Sequence, residues 1–122
     1  MINTFAHFNF NVFDLEKSIK FYDEAFGLKP VREKELGENF AKLVFLGDGE
    51  TGFELELTYL YERTEPYNLG ECEYHLAIRT DDYESLHAKH EEMGIIAFDN
   101  KEVGVYFVTD PDGYWIEVLP VR

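Results

Sequence analysis

The chain has 122 residues, 45% of them hydrophobic and 16% aromatic, which predicts a folded domain with its own core and excludes a disordered chain. Its formal net charge of −14 repels phosphate backbones and anionic lipid surfaces, so we expect no nucleic-acid partner and no membrane partner. No apolar run approaches the roughly 20 residues that cross a bilayer. The single cysteine, Cys72, excludes an internal disulfide, which fits the cytoplasmic location we expect.

The first half of the chain predicts a strand, a helix and three further strands. The first strand covers residues 7–12. The helix that follows has one apolar stripe, formed by Leu15, Ile19, Tyr22 and Phe26. Asp14 is the expected N-cap and Gly27 the expected end of this helix. Three strands then follow at about 29–36, 40–47 and 52–60, separated by the glycine-containing segments "LGEN" and "GDGETG".

The second half predicts the same elements after a polar linker over residues 61–71. A strand at 75–80 leads into a helix at about 82–93, for which Asp81 and Glu84 would form a capping box. The apolar stripe of this helix is thin, and we expect His87 and His90 to lie on a solvated helix face. The helix ends at Gly94, and strands follow at about 95–102, 104–109 and 113–120.

The order of elements is therefore β-α-β-β-β, twice. This repeat predicts an α+β fold in which one domain consists of module 1–60 and module 72–122, joined by the linker 61–71. A module of this size with one helix leaves one face of its sheet and one strand edge uncovered. Pairing two modules, within the chain or between two chains, would remove that problem and enclose a shared cavity.

Strand alternation places one histidine and one glutamate of each module on the face opposite the helix. The four residues are His7, Glu56, His75 and Glu117. Two nitrogen and two oxygen ligands with open positions suit a catalytic divalent transition metal. Any one of these residues alone is more typical of a solvated sheet face or of a satisfied core position. The same residue types at the same places in both modules favour the metal site.

Several segments resemble the vicinal oxygen chelate superfamily, in particular "HFNFNV", "ELELTY", "YHLAI" and "DPDGYWIEV". Within that superfamily the chain is most similar to the short bacterial form of glyoxalase I (lactoylglutathione lyase), because Glu56 joins the other three candidate ligands. The resemblance implies a homodimer with its active sites at the subunit interface and a divalent metal, nickel or cobalt in preference to zinc. It also implies a 2-oxoaldehyde–thiol adduct as substrate in methylglyoxal detoxification, Glu117 as the catalytic base and Glu56 as its partner in proton return.

Two positions depart from the family pattern. Relatives that use glutathione often have an arginine where this chain has Asn11 and an asparagine where it has Leu60. Arg79 occupies the repeat-equivalent of position 11, and we expect it either to bind a substrate carboxylate or to pair with an acidic neighbour. Trp115 is expected to be a pocket wall or a core residue. Two other functions remain open: another metal-dependent enzyme of the superfamily, such as a thiol transferase or an epimerase, and a non-catalytic binding protein.

Overall fold

The computed structural model describes all residues from 1 to 122 and divides the chain into two compact units, Met1–Tyr67 and Asn68–Arg122. Unit 1 contains β1 (His7–Asn11), α1 (Leu15–Phe26), β2 (Lys29–Leu36), β3 (Ala41–Gly47) and β4 (Glu54–Leu60). Unit 2 contains β5 (Leu76–Thr80), α2 (Tyr83–Met93), β6 (Ile96–Asn100), β7 (Val105–Thr109) and β8 (Trp115–Pro120). The predicted α+β class and the repeated β-α-β-β-β order are confirmed.

Each unit forms one four-stranded sheet with the same topology. The strand orders are β1-β4-β3-β2 and β5-β8-β7-β6, and the first pair in each sheet is parallel while the others are antiparallel. One edge strand of each sheet contains an irregularity at the same place, between Pro30 and Arg32 in β2 and between Ile96 and Phe98 in β6. The two sheets therefore repeat even the bulge that bends the edge strand.

The helix termini follow the expected cap chemistry with one correction. In α1 the Asp14 side chain accepts a hydrogen bond from the backbone N–H of Lys17, and Gly27 ends the helix with a φ of +69°. In α2 the N-cap is Asp82, which accepts from the backbone N–H of Ser85, so the prediction of Asp81 was wrong by one residue. Asp81 and Asp82 have the same side chain, so the sequence does not distinguish them as N-caps. The backbone conformation at Asp82 does.

The two helices pack on their sheets by different means. In α1 the buried residues are Ser18, Tyr22 and Ala25. In α2 only His90 is buried, and its Nδ1 lies 2.8 Å from the hydroxyl of Tyr106 on β7. Burial raises the pKa of Tyr106, which keeps the hydroxyl neutral and able to donate.

The prediction of a solvated face for His87 and His90 is therefore wrong. His90 is fully buried, and His87 is half-buried with Nε2 2.6 Å from the carboxylate of Asp99. Because α2 has so few apolar residues, the imidazoles of His87 and His90 pack against its sheet. Each has a hydrogen-bond partner that offsets the cost of burial. Neither helix is long and apolar enough to traverse a lipid bilayer.

Candidate active site

The face of each sheet that points away from its helix carries the candidate site residues. In β4 Leu55 and Leu57 are buried, while Glu54 and Glu56, which alternate with them, are half-buried. In β8 Ile116 and Val118 are fully buried, and Trp115, Glu117 and Leu119 alternate with them. We call the side with Glu56 or Glu117 the site face of its unit.

Cross-strand pairing arranges the site face of each unit in a row. The first row runs across β1, β4, β3 and β2 through Asn9, Glu56, Phe45 and Arg32. The second row runs across β5, β8, β7 and β6 through Ala77, Glu117, Phe107 and Phe98. The two central positions are the same in both rows, glutamate followed by phenylalanine, whereas the two ends differ.

In unit 1 the structure brings His7 and Glu56 together. The distance from His7 Nε2 to Glu56 Oε1 is 3.5 Å, and the imidazole packs edge-on against the ring of Phe45 at 5.7 Å between ring centres. When the amide of Asn9 is turned so that its nitrogen faces the acceptors around it, that nitrogen lies 3.1 Å from Glu56 Oε1. Glu56 thus has a histidine, a phenylalanine and an amide donor as neighbours.

Unit 2 repeats this arrangement around His75 and Glu117. His75 Nε2 lies 3.2 Å from Glu117 Oε1, and the imidazole packs edge-on against Phe107 at 5.1 Å. The residue opposite Glu117 is Ala77, which has no donor in its side chain. The side chain of Glu117 is therefore free of the amide contact that Asn9 provides in unit 1.

The donor atoms of each pair suit a divalent metal ion. Two ligand atoms about 2.1 Å from one ion and at right angles to each other are about 3 Å apart, close to both His–Glu distances. Each histidine side chain is about two-fifths exposed, 42% for His7 and 44% for His75, so a cation can approach it from the site face. Neither unit by itself gathers three His, Cys, Asp or Glu side chains for a metal ion. Each unit therefore offers one candidate pair of ligands, which we call its half-site.

Next to the first half-site lies an ion pair for which unit 2 has no equivalent. The Arg32 guanidinium binds Glu54 in a fork, with Nη2 2.8 Å from Oε1 and Nε 3.1 Å from Oε2. The guanidinium also lies over the ring of Phe45, with Cζ 3.6 Å from the ring centre. The hydrogen bonds from Arg32, together with the positive charge of Arg32 and the nearby His7, hold the pKa of Glu54 below its ordinary value.

The corresponding part of unit 2 is aromatic. Trp115 lies two residues before Glu117, as Glu54 lies before Glu56, and its ring centre is 5.3 Å from that of Phe107. Phe98, opposite Phe107, stacks on it at 6.3 Å and is 49% exposed. Trp115 therefore lies on the site face, half-buried, as part of an aromatic wall that includes Phe98 and Phe107.

The remaining predicted site residues lie at the ends of the same strands. Arg79 is exposed on β5, and its Nε lies 3.4 Å from the backbone carbonyl of Pro120 rather than beside a carboxylate. Asn11 is half-buried at the end of β1, opposite Thr58. Leu60 ends β4 opposite Ala41. The expected ion pair between Arg79 and an acidic neighbour is not formed.

Four neighbours of the half-sites were missed in the sequence, namely Asn9, Arg32, Phe45 and Phe107. Alignment of the two modules offered a signal for the two phenylalanines, because "LVF" at 43–45 and "VYF" at 105–107 occupy equivalent strands. Arg32 had no such signal, since its repeat-equivalent is Phe98 and its partner Glu54 lies two strands away in the sheet.

Comparison with known proteins identifies the family to which this chain is similar. Residues 4–118 match the model of the Glyoxalase/Bleomycin resistance protein/Dioxygenase superfamily. A probable lactoylglutathione lyase of Vibrio parahaemolyticus is 39% identical over 93% of this chain and 87% of its own length. The lactoylglutathione lyase of Haemophilus influenzae is 37% identical over 93% of this chain and 89% of its own length.

A solved structure extends the likeness to three dimensions. The trypanothione-dependent glyoxalase I of Leishmania major aligns with a TM-score of 0.86 and 36% identity, covering 98% of this chain and 87% of that one. Members of this family act with a divalent metal ion, for which the two half-sites provide suitable donors. The chain belongs to the Glyoxalase/Bleomycin resistance protein/Dioxygenase superfamily and is, within it, an enzyme of the lactoylglutathione lyase type.

Proposed function

We propose that this enzyme isomerises the hemithioacetal of a 2-oxoaldehyde, such as methylglyoxal, and a thiol to a 2-hydroxyacyl thioester. In this reaction the C–H bond on the carbon that carries sulfur breaks, and a new C–H bond forms on the neighbouring carbon. The first carbon becomes the thioester carbonyl and the second carries a hydroxyl, so no oxidant or reductant is needed. The observation that carries the proposal is the repeated His–Glu pair in the same strand register in both units.

The assembly that we propose is a homodimer that joins two half-sites into one four-ligand centre. His7 and Glu56 of one protomer would face His75 and Glu117 of its partner. Two ligands from one unit would hold a divalent ion weakly, whereas four from two units would hold it firmly and still leave it open to substrate. We propose nickel or cobalt as the activating ion, on the likeness to the short bacterial enzymes, and the cytoplasm as the location.

We assign the role of catalytic base to Glu117. Its side chain has Ala77 opposite it, whereas Glu56 has the amide of Asn9 opposite it, which in its turned orientation donates to the Glu56 carboxylate and would restrain it. A carboxylate that removes a proton and returns it has to move between two carbons, so the less restrained glutamate suits the first step. Glu56 would be its partner on the other side of the substrate, while His7 and His75 would serve as ligands only. When bound, the metal supplies positive charge that stabilises the negative charge developing on the substrate oxygens.

The thiol part of the substrate has its own candidate contact in Arg79. The absence of arginine at Asn11 and of asparagine at Leu60 removes two contacts that glutathione-using relatives often have. Arg79 lies on the same face of β5 as Ala77, and its exposed guanidinium can form a bidentate contact with a carboxylate. Asn11 and Trp115 would contribute a polar and an apolar surface to the same pocket. We therefore propose a thiol that carries at least one carboxylate, held by Arg79.

The test is reconstitution of the purified protein after its metal has been removed. Nickel, cobalt or zinc is added back, and thioester formation from methylglyoxal adducts of several thiols is followed by absorbance. We expect activity with nickel and cobalt above that with zinc, and an Arg79→Ala variant with a raised Michaelis constant and a similar kcat. Metal binding without thioester formation would favour another enzyme of the superfamily. Failure to bind any divalent ion would favour a non-catalytic binding protein.

A further inference from the structure

We propose that Arg32 is a positioning residue that keeps the carboxylate of Glu54 away from the metal half-site of unit 1. The inference rests on the proposed function, because it concerns the ligands of the same metal centre. Its consequence is that unit 1 offers the ion one carboxylate rather than two. Arg32 would thereby determine the ligand set of the centre and, through it, which metal ion is preferred.

Glu54 is placed where a third ligand of the half-site would stand. It lies two residues before Glu56 on the same face of β4, and it is directly opposite His7 in the parallel register of β1 and β4. Its side chain is 22% exposed, less than the side chain of His7 at 42%. In unit 2 the equivalent position holds Trp115, which cannot be a ligand. Unit 1 is therefore the only one of the two with a spare carboxylate at its half-site.

The contacts of Arg32 account for the position of that carboxylate. Both oxygens of Glu54 accept hydrogen bonds from the guanidinium, and this fork geometry fixes the orientation of the carboxylate plane. The guanidinium is held in turn by the ring of Phe45, whose edge contact with His7 ties the ion pair to the half-site. Although three potential ligands share this face, they do not form a three-ligand cluster. The oxygens of Glu54 are directed toward Arg32 instead.

Loss of Arg32 would have two effects. A released Glu54 would add an oxygen ligand to His7 and Glu56, which favours tighter binding of the cation and fewer open positions for substrate. It would also leave the negative charge of Glu54 uncompensated next to the half-site, where charge of the same sign develops during the reaction, and this repulsion would lower kcat by about tenfold or more.

The experiment compares four proteins, the wild type, Arg32→Gln, Glu54→Gln and the double variant Arg32→Gln/Glu54→Gln. Each is stripped of metal and titrated with Co²⁺ alone, with binding measured by calorimetry and the coordination of the ion by its visible absorption spectrum. We expect Arg32→Gln to change the Co²⁺ spectrum and to bind Co²⁺ about tenfold more tightly. Glu54→Gln and the double variant are expected to keep the wild-type spectrum, and neither should bind Co²⁺ more tightly than the wild type. An Arg32→Lys variant keeps the charge but loses the fork, and it should show a smaller change in the same direction.

The results separate this inference from its alternatives. An Arg32→Gln spectrum identical to that of the wild type overturns it, as does a double variant that behaves like Arg32→Gln alone. If Arg32 instead bound substrate directly, Glu54→Gln would lower the Michaelis constant for a carboxylate-bearing adduct. The double variant, which lacks Arg32, would then have a Michaelis constant above that of the wild type. Should Arg32→Gln fail to fold, an unchanged spectrum for Arg32→Lys is the overturning result. Wild-type protein that binds Co²⁺ without forming thioester refutes the proposed reaction, while the four spectra still decide the role of Arg32.

Discussion

The two units present the same His–Glu pair in different surroundings. In both, a glutamate and a phenylalanine stand next to each other in the row, and a histidine packs on the phenylalanine. The ends of the rows differ, with Asn9 and Arg32 in unit 1 against Ala77 and Phe98 in unit 2. The His–Glu pair is thus the same in both units, whereas the positions around it differ.

That divergence gives the two half-sites unequal chemistry. In unit 1 the neighbours of Glu56 are hydrogen-bond donors and the Arg32–Glu54 ion pair. Unit 2 surrounds its glutamate with aromatic rings and no side-chain donor other than His75 in the contacts described above. The following predictions test this difference between the units.

The largest effect is expected from removing the carboxylate of unit 2 that we propose as the catalytic base. Glu117→Gln keeps an oxygen ligand for the metal but cannot accept a proton, so kcat should fall by about 10³-fold. Glu56→Gln makes the same change in unit 1, where the glutamate is restrained by Asn9, and we expect a loss of about tenfold to 100-fold. Both are measured on nickel-loaded protein, with metal content determined on the same samples. Equal losses in the two variants would mean that the units share the base role.

A smaller effect is expected from the different packing of the two helices. His90→Leu leaves the hydroxyl of Tyr106 buried without this partner, which should cost about 2–3 kcal/mol, or roughly 100-fold in the folding equilibrium. The double variant His90→Leu/Tyr106→Phe removes both polar groups and should recover part of that loss. Lys89→Ala, an exposed change on the same helix, serves as the control in urea unfolding. If the double variant is no more stable than His90→Leu, the hydrogen bond is not what anchors α2.

The comparison of the units also explains which features the sequence predicted. Strand and helix positions followed from alternation and helical spacing, so β2 was predicted at 29–36 and found at Lys29–Leu36. The His–Glu pairs followed from the repeat, because two matching modules make a chance coincidence of four residues improbable. These signals are local or repeated, and each can be detected in a short stretch of the sequence.

Features that depend on contacts between distant strands were not predictable in the same way. The Arg32–Glu54 ion pair joins residues that lie two strands apart, and it depends on the bulge after Pro30 that sets the pairing of Arg32 with Phe45. The buried His90 was missed because a histidine on a polar helix has the pattern of a solvated residue. Its burial depends on the hydroxyl of Tyr106, which is 16 residues further along the chain.

A change of about tenfold is expected when unit 2 is given the hydrogen bond that unit 1 has. Ala77→Asn places an amide opposite Glu117, as Asn9 stands opposite Glu56, and one hydrogen bond to the carboxylate would slow its movement by about tenfold in kcat. The metal affinity should not change, because the ligand atoms remain the same. Ala77→Val is the matched control for added size. A loss with valine as large as that with asparagine would show that volume at position 77, and not the donor, is responsible.

The smallest effect concerns the turns that lead into the two glutamate-bearing strands. Asp48 Oδ1 accepts from the backbone N–H groups of Glu50 and Thr51, and Asp110 Oδ1 accepts from those of Asp112 and Tyr114. Asp110 is buried and Asp48 is exposed. An exposed carboxylate is screened by water, so we expect Asp48→Ala to cost about 1 kcal/mol at pH 7. Asp110→Ala should cost about twice as much.

The pH dependence of the Asp48→Ala effect follows from the direction of the pKa shift. Partial burial acts to raise the pKa of Asp48, but the hydrogen bonds from Thr51 and Glu50 outweigh it and hold this pKa below its ordinary value. A carboxyl group whose pKa is lowered by folding contributes its full stabilisation above its unfolded pKa of about 4. That stabilisation is lost as the pH falls through the lower pKa of the folded state. The stability gap between wild type and Asp48→Ala should therefore be widest near pH 7 and should narrow below about pH 4. Urea unfolding at both pH values measures it, and a gap that does not change with pH would mean that the turn is held by backbone conformation rather than by the ionised carboxylate.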